Sequence, residues 1–308
     1  MKRKILIVGR LGQVGWELCR TLACLGDVAA IDRPEIELTD IDAVRGLITD
    51  LHPAVVVNAA AYTAVDLAER ESGVAMQINA AAPIAMAEEC KKAGALFVTY
   101  STDYVFDGSK NGAYTEGDTP SPQNTYGRTK LAGDLGVQAV DGSYLIFRTS
   151  WVYGSRGKNF LLTMLKLAEE REELKVVDDQ IGSPTWSRAI AESTALVLSQ
   201  LLSPGRLAGR TTVAEAAREF SGVYNLTAGG QVSWCGFARE IFSYLSAKGK
   251  TRVPTVIPIL TAEYPTPATR PMNSVLNNEK VLRTFNVKMP RWEECLALVM
   301  DELGNGAI

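Results

Sequence analysis

Lys4-Ile5-Leu6-Ile7-Val8-Gly9-Arg10-Leu11-Gly12-Gln13-Val14-Gly15 decides the fold. The first five residues are an apolar, β-prone run, as expected of a strand buried in a parallel sheet. Three glycines follow at spacings of three, and then Val14, Leu18, Leu22 and Leu25 fall on one helical stripe. A strand, a glycine-rich turn and a helix in that order let the backbone approach a pyrophosphate and seat it on the helix N-terminus. The spacing is G-x-x-G-x-x-G, not the commoner G-x-G-x-x-G. Its place between strand and helix makes Gly9, Gly12, Gln13, Val14 and Gly15 candidates for holding a dinucleotide. A merely structural turn is the alternative.

Strand and helix keep alternating beyond that turn. Residues 28–31 read as a second strand ending in Asp32-Arg33, about twenty residues after the glycine loop, where an adenosine ribose would be gripped. Asp32 suits the free 2′-hydroxyl of NAD, and Arg33 suits the 2′-phosphate of NADP; the sequence carries both signals. Thr39 or Asp40 reads as the cap of a helix running to about 51. Asp40 and Ile41 either flank the adenine or serve only that helix end. Residues 54–57 form a third strand and run into Asn58-Ala59-Ala60-Ala61-Tyr62-Thr63, small residues at the carboxyl end where open α/β sheets bind ligands. Further strands are expected at 96–100 and 144–148, with helices between them. This rhythm predicts an α/β fold, a Rossmann-type doubly wound parallel sheet.

Chemistry is suggested where the fourth strand ends, at Ser101-Thr102-Asp103-Tyr104, and in the next helix at Tyr126-Gly127-Arg128-Thr129-Lys130. A Tyr four residues before a Lys shares a helix face with it. An ammonium beside a phenol favours the phenolate and lowers the tyrosine pKa, which would make Tyr126 a usable general acid. The pair alone also fits an ordinary surface pair; the upstream dinucleotide signal is what gives it weight. Beyond 154 the rhythm loosens. Helices are expected over about 159–172, 188–202, 234–248 and 292–303, with short strands near 175–177 and 223–226. Residues 203–211 read as a surface connection. The segment 264–271 holds too many prolines for regular structure, and Arg270 is its one cation.

Composition narrows the classes. The chain has 308 residues and a formal net charge of −3, which gives no electrostatic case for nucleic acid or a membrane surface. No apolar run approaches a membrane span, and the basic first residues lack the long apolar stretch of a signal peptide. Five scattered cysteines without a CxxC read as reduced, buried thiols of a cytoplasmic protein. The lone histidine, His52, sits before Pro53 at an apparent helix end and reads as structural.

Taken together, the glycine loop, the Thr102 segment and the Tyr126–Lys130 pair resemble an extended short-chain dehydrogenase/reductase. Residues 9–17 (GRLGQVGWE), 58–66 (NAAAYTAVD), STDYVFDG, YGRTKLAG, FRTSWVYG, DDQIGSPT and YPTPATRPMNSVL resemble, in order, the dTDP-4-dehydrorhamnose reductase family. The resemblance implies reduction of the C4 keto group of a dTDP-4-keto-6-deoxyhexose by NADPH or NADH. It implies that Tyr126 protonates the developing alkoxide, that Lys130 holds the nicotinamide ribose, and that Thr102 hydrogen-bonds the keto oxygen. Asp103, Tyr104 and Trp151 would contact the sugar, although a tryptophan is often simply core. Ala61, Tyr62 and Thr63 would join the cofactor wall. A diphosphate calls for a guanidinium; Arg270 is the candidate, with Asn159, Gln180 and Thr185 as weaker contacts. Members of the family can form homodimers around a magnesium ion held by glutamates, and Glu17 and Glu293 stand at matching positions. Residues 1–154 with about 184–222 would bind the dinucleotide; about 155–183 and 223–308 would bind the sugar nucleotide. Residues 201–220 look like an insertion with no evident purpose. Two other readings compete: an epimerase or dehydratase on the same fold, and a non-catalytic, NADP-binding regulatory subunit. Asp103-Tyr104 after Thr102 lacks the acid–base partner usual in such dehydratases, and an intact Tyr126, Lys130 and Thr102 argue against a binding module.

Overall fold

Six parallel strands form the central sheet of the computed structural model, which describes residues 3–250 and 252–306. Their order across the sheet is Gly222–Asn225, Tyr144–Thr149, Leu96–Thr102, Val55–Asn58, Lys4–Val8 and Asp27–Ile31. Adjacent residues on a strand point to opposite faces, so the apolar runs feed two cores at once. Ile5, Ile7, Val57 and Val98 pack on one side, and Leu6, Val8, Val56 and Phe97 on the other. Each such side chain, taken fully out of water, is worth about 1.5–3 kcal/mol. Helices Gln13–Thr21 and Ser187–Leu201 cover the first face; Ile41–Leu51 and Ala82–Ala93 cover the second. The strand order reverses between Lys4–Val8 and Val55–Asn58, which opens a crevice at the carboxyl ends of the strands.

Local chemistry sets the helix ends. Asp40 accepts from Ala43 N at 3.0 Å and caps its helix. That helix stops at His52, in the left-handed region with φ 49°, directly before Pro53. The helix Thr125–Ala139 is capped by Asn124, whose Oδ1 accepts from Gly127 N at 2.8 Å. It lies hard against backbone: a Cβ on Gly127 would stand 2.2 Å from the Tyr104 carbonyl oxygen, and one on Gly133 2.2 Å from that of Asn79. Asn79 sits in a π-helical turn, Gln77–Ala81.

The rest of the chain builds small sheets and helices beside this frame. Thr255–Ile259 pairs in parallel with Glu173–Val177, and Val152–Tyr153 in parallel with Thr185–Trp186, whereas Val232–Ser233 runs antiparallel to Ile181–Gly182. Helices Phe160–Glu170, Trp234–Ala247 and Trp292–Gly306 pack around them. The strand Thr255–Ile259 and the helix Glu279–Phe285 have no counterpart in the sequence reading. The expected domain crossing near 223 falls inside the edge strand Gly222–Asn225 of the main sheet. The segment expected to be a surface connection contains a helical turn, Pro204–Leu207, and the helix Val213–Ala217 beyond it buries Val213, Ala216 and Ala217. Ser143 Oγ donates to Ala214 O at 2.7 Å, which ties that helix to the amino end of Tyr144–Thr149. All five cysteines are free; Cys90, Cys235 and Cys295 are buried, but Cys24 is exposed and Cys19 partly so, contrary to the expectation of burial. Among the described residues no helix is long and apolar enough to cross a membrane.

Candidate active site

A cleft of about 720 Å³ runs along the crevice from Asp32 and Arg33 at one end to Tyr126 and Lys130 at the other. Gly9, Gly12, Gln13, Val14, Ala61, Tyr62 and Thr63 line it between those ends. Gly9 has φ +92°, and a Cβ there would stand 2.7 Å from Ala60 N; a Cβ on Gly15 would stand 1.9 Å from Gly9 O. Only glycines allow this tight a turn. The helix begins with Gly12 as its N-cap and with no side chain capping its amides, which leaves N–H donors for an anion. Leu11 N and Arg33 N both donate to the Asp32 carboxylate at 2.8 Å, which fixes it at the rim. The cradle, the uncapped helix and the fixed carboxylate fit a dinucleotide. Arg33 is exposed and pairs with Glu37 at 3.1 Å. Gln13 Oε1 accepts from Asn159 Nδ2 at 2.8 Å, tying the glycine loop to the segment across the cleft.

Asn79 joins the cofactor wall to the reactive helix. Its Oδ1 accepts from Tyr62 N at 2.8 Å and its Nδ2 donates to Thr129 Oγ1 at 3.1 Å. On that helix Tyr126 and Lys130 both face the cleft. Lys130 is buried, and its Nζ donates to the Tyr100 carbonyl at 2.6 Å. The expected lowering of the Tyr126 pKa is not what this arrangement gives. Burial and the Asp103 charge push the phenol up, and the Thr102 hydroxyl pulls it back only in part. The phenol therefore keeps its proton firmly. Burial likewise pushes the Lys130 ammonium down. Thr102 Oγ1 donates to Asp103 Oδ1 at 2.9 Å and accepts from Tyr104 N at 3.1 Å. Burial raises Asp103 to about 6, against the hydrogen bonds it accepts. Tyr104 meets the Tyr126 ring edge-on at 5.8 Å.

Other expected contacts lie elsewhere. Asp40 and Ile41 are outside the cleft, whose wall at that end is Ile36 and Leu38; Asp40 is spent on its cap. Thr185 is fully buried, with its hydroxyl donating to Ser183 O and accepting from Ala228 N. Asn159 caps Phe160–Glu170 through Leu162 N. Gln180 is buried and donates to Thr261 Oγ1 at 3.1 Å. Trp151 stacks flat on Trp234, ring centroids 3.4 Å apart, so one of its faces is taken. Arg270 forms a bidentate pair with Asp66, both contacts 2.6 Å, and Asn124 Nδ2 holds the neighbouring Thr269 carbonyl at 2.7 Å. Glu17 pairs with Arg188 at 3.2 Å and Glu293 with Arg291 at 2.8 Å. Among the described residues no three His, Cys, Asp or Glu side chains form a group able to hold a metal ion, so the magnesium expectation finds no support. Gly157 and Lys158 also line the cleft, and a glycine beside a lysine in a loop is the only local sign of them in the sequence.

A crevice at the strand-order reversal, floored by glycines and closed by a tyrosine and a lysine one helical turn apart, is the build of a short-chain dehydrogenase/reductase. The family model for the RmlD substrate binding domain matches residues 3–305. The dTDP-4-dehydrorhamnose reductase of Burkholderia thailandensis is 47% identical over 97% of this chain and 99% of its own length, and that of Salmonella typhimurium 42% identical over 97% of each. The crystal structure of dTDP-4-dehydrorhamnose reductase from Bacillus anthracis in complex with NADP superposes with a TM-score of 0.85 at 35% identity, covering 98% of this chain and all of that one. The chain belongs to the dTDP-4-dehydrorhamnose reductase family and is an oxidoreductase.

Proposed function

We propose that this protein reduces the C4 keto group of dTDP-4-dehydro-L-rhamnose to give dTDP-L-rhamnose, with NADPH or NADH as reductant, in the cytoplasm. The observation that carries the reading is one continuous cleft joining the glycine cradle to Tyr126 and Lys130. A bound nicotinamide supplies the hydride. Gly9, Gly12, Gln13, Val14 and Gly15 hold its pyrophosphate, Asp32 the adenosine ribose, and Lys130 the nicotinamide ribose. Tyr126 Oη carries the proton for the substrate oxygen. Because burial makes this phenol a weak acid, it releases the proton only as that oxygen gains charge, which suits a general acid acting in the transition state. Thr102 Oγ1 turns from Asp103 to donate to the same oxygen. Arg270, held by Asp66, retains donors for the diphosphate. Residues 1–154 and about 184–225 serve the dinucleotide, and the remainder serves the sugar nucleotide.

The test is NAD(P)H absorbance decay with dTDP-4-dehydro-L-rhamnose generated in place, run with each cofactor in parallel. Decay that needs every component supports the reading. Cofactor binding without decay would overturn it. Tyr126→Phe should cut turnover by about 10²-fold or more with cofactor affinity retained; undiminished turnover would remove Tyr126 as the acid.

A further inference from the structure

Behind Lys130 stands a carboxylate that the reduction scheme leaves unused. Asp134 follows Lys130 by one helical turn and shares its face. Both are buried, at 3% and 4% exposure. Ser101 Oγ donates to Asp134 Oδ2 at 2.7 Å. Arg148 Nε, from the strand Tyr144–Thr149, lies 3.5 Å from the same oxygen. Arg148 is 3% exposed, its Nε and Nη1 make no hydrogen bond, and its guanidinium lies over the Phe106 ring. Asp134 is thus ion-paired with Arg148 and stands one helical turn from the buried Lys130 ammonium, beyond direct contact but within reach of its charge. A buried ammonium without a counter-charge loses its proton, because the neutral amine is far cheaper to desolvate. The hydrogen-bond partner of Lys130 is the neutral Tyr100 carbonyl, so the carboxylate one turn away balances its charge without touching it. The other buried carboxylate of the site, Asp103, acts on Tyr126 and Tyr104, and Asp134 acts on Tyr126 more weakly.

We propose that Asp134 is a positioning residue that keeps the Lys130 amine protonated at neutral pH, with Ser101 and Arg148 fixing its carboxylate. The inference rests on the reading of Lys130 as the ribose contact. The charge balance agrees with it: burial pushes Lys130 down and Asp134 pulls it back up. Burial raises Asp134 itself, while Arg148, Lys130 and Ser101 lower it. The sign follows. Removing the carboxylate lowers the Lys130 pKa, so function is lost on the alkaline side and spared on the acid side.

Asp134→Asn, Asp134→Glu and the double variant Asp134→Asn/Arg148→Met are to be compared with wild type. NADPH binding, followed by its fluorescence, and kcat/KM are measured from about pH 6 to about pH 9.5. Asp134→Asn should match wild type at about pH 6 and fall at least about tenfold below it at about pH 9, a shift of one unit or more in the alkaline limb. Asp134→Glu should restore the wild-type limb. The double variant, freed of the unpaired guanidinium, should keep the shifted limb and carries the test if the single variant does not fold. An unshifted limb in Asp134→Asn, or a wild-type limb in the double variant, would overturn the proposal, since Asp134 would then serve only Arg148. A wild-type protein that binds NADPH but leaves the sugar nucleotide unreduced sinks the proposed reaction alone; the binding profile still decides Asp134.

Discussion

Asp103 imposes a cost at the centre of the site. It is 3% exposed, and its carboxyl is raised to about 6 from an ordinary 3.8. Between those values the folded chain binds more protons than the unfolded chain, so stability falls as pH rises through the window and stays lower above it. The difference is about 3 kcal/mol at most. Asp103→Asn should therefore raise the urea midpoint at about pH 8, with the gain disappearing by about pH 4. A gain independent of pH would show that the carboxylate is not the source. The site thus gives up stability for a charge set against Thr102 and Tyr126, a common trade at functional positions.

At the scale of elements, the reactive helix is held by contact, not by propensity. A glycine in an exposed helix interior is about 1 kcal/mol worse than alanine. Gly46, in Ile41–Leu51, has nothing within 4 Å of where a Cβ would stand, so Gly46→Ala should stabilise. Gly133 lies against the Asn79 carbonyl, and Gly133→Ala should destabilise and cut turnover through the Asn79–Tyr62 wall. Thermal unfolding of the two variants side by side checks the opposite signs; stabilisation by both would remove the contact argument. Such contacts also mark what the sequence makes legible. Lys4–Val8 and its glycines could be placed because a buried strand and a tight turn each leave a local pattern. The strand Thr255–Ile259 was masked by Pro258 within its β-branched run, and only its last residue is buried; its partner is the distant Glu173–Val177. Asp134 and Arg148 were equally invisible, since a charged residue in a helix or strand reads as solvated until the fold buries it.

For the whole molecule, the parallel sheet gathers residues far apart in sequence at one set of strand ends. Motif spacing foretold that for Gly9, Asp32, Ala61, Thr102 and Tyr126. It did not foretell the partners other polar residues find within the fold: Thr185 and Gln180 are buried and hydrogen-bonded, and Asn159 caps a helix. Arg270 crosses to Asp66 from nearly the far end of the chain. In the proposed role, Arg270→Ala should raise the KM for the sugar nucleotide about tenfold or more while the Kd for NADPH stays put. Steady-state kinetics with a parallel cofactor titration decides it; a change confined to cofactor binding would move Arg270 out of the substrate site.

Asn124 spans that crossing with one planar amide. Its oxygen starts the Tyr126 helix, and its nitrogen grips the chain beside Arg270. A rigid group of this kind cannot turn for one neighbour and stay still for the other. In the roles proposed for Tyr126 and Arg270, the proton donor and the diphosphate contact would therefore be tied to one another through a single amide.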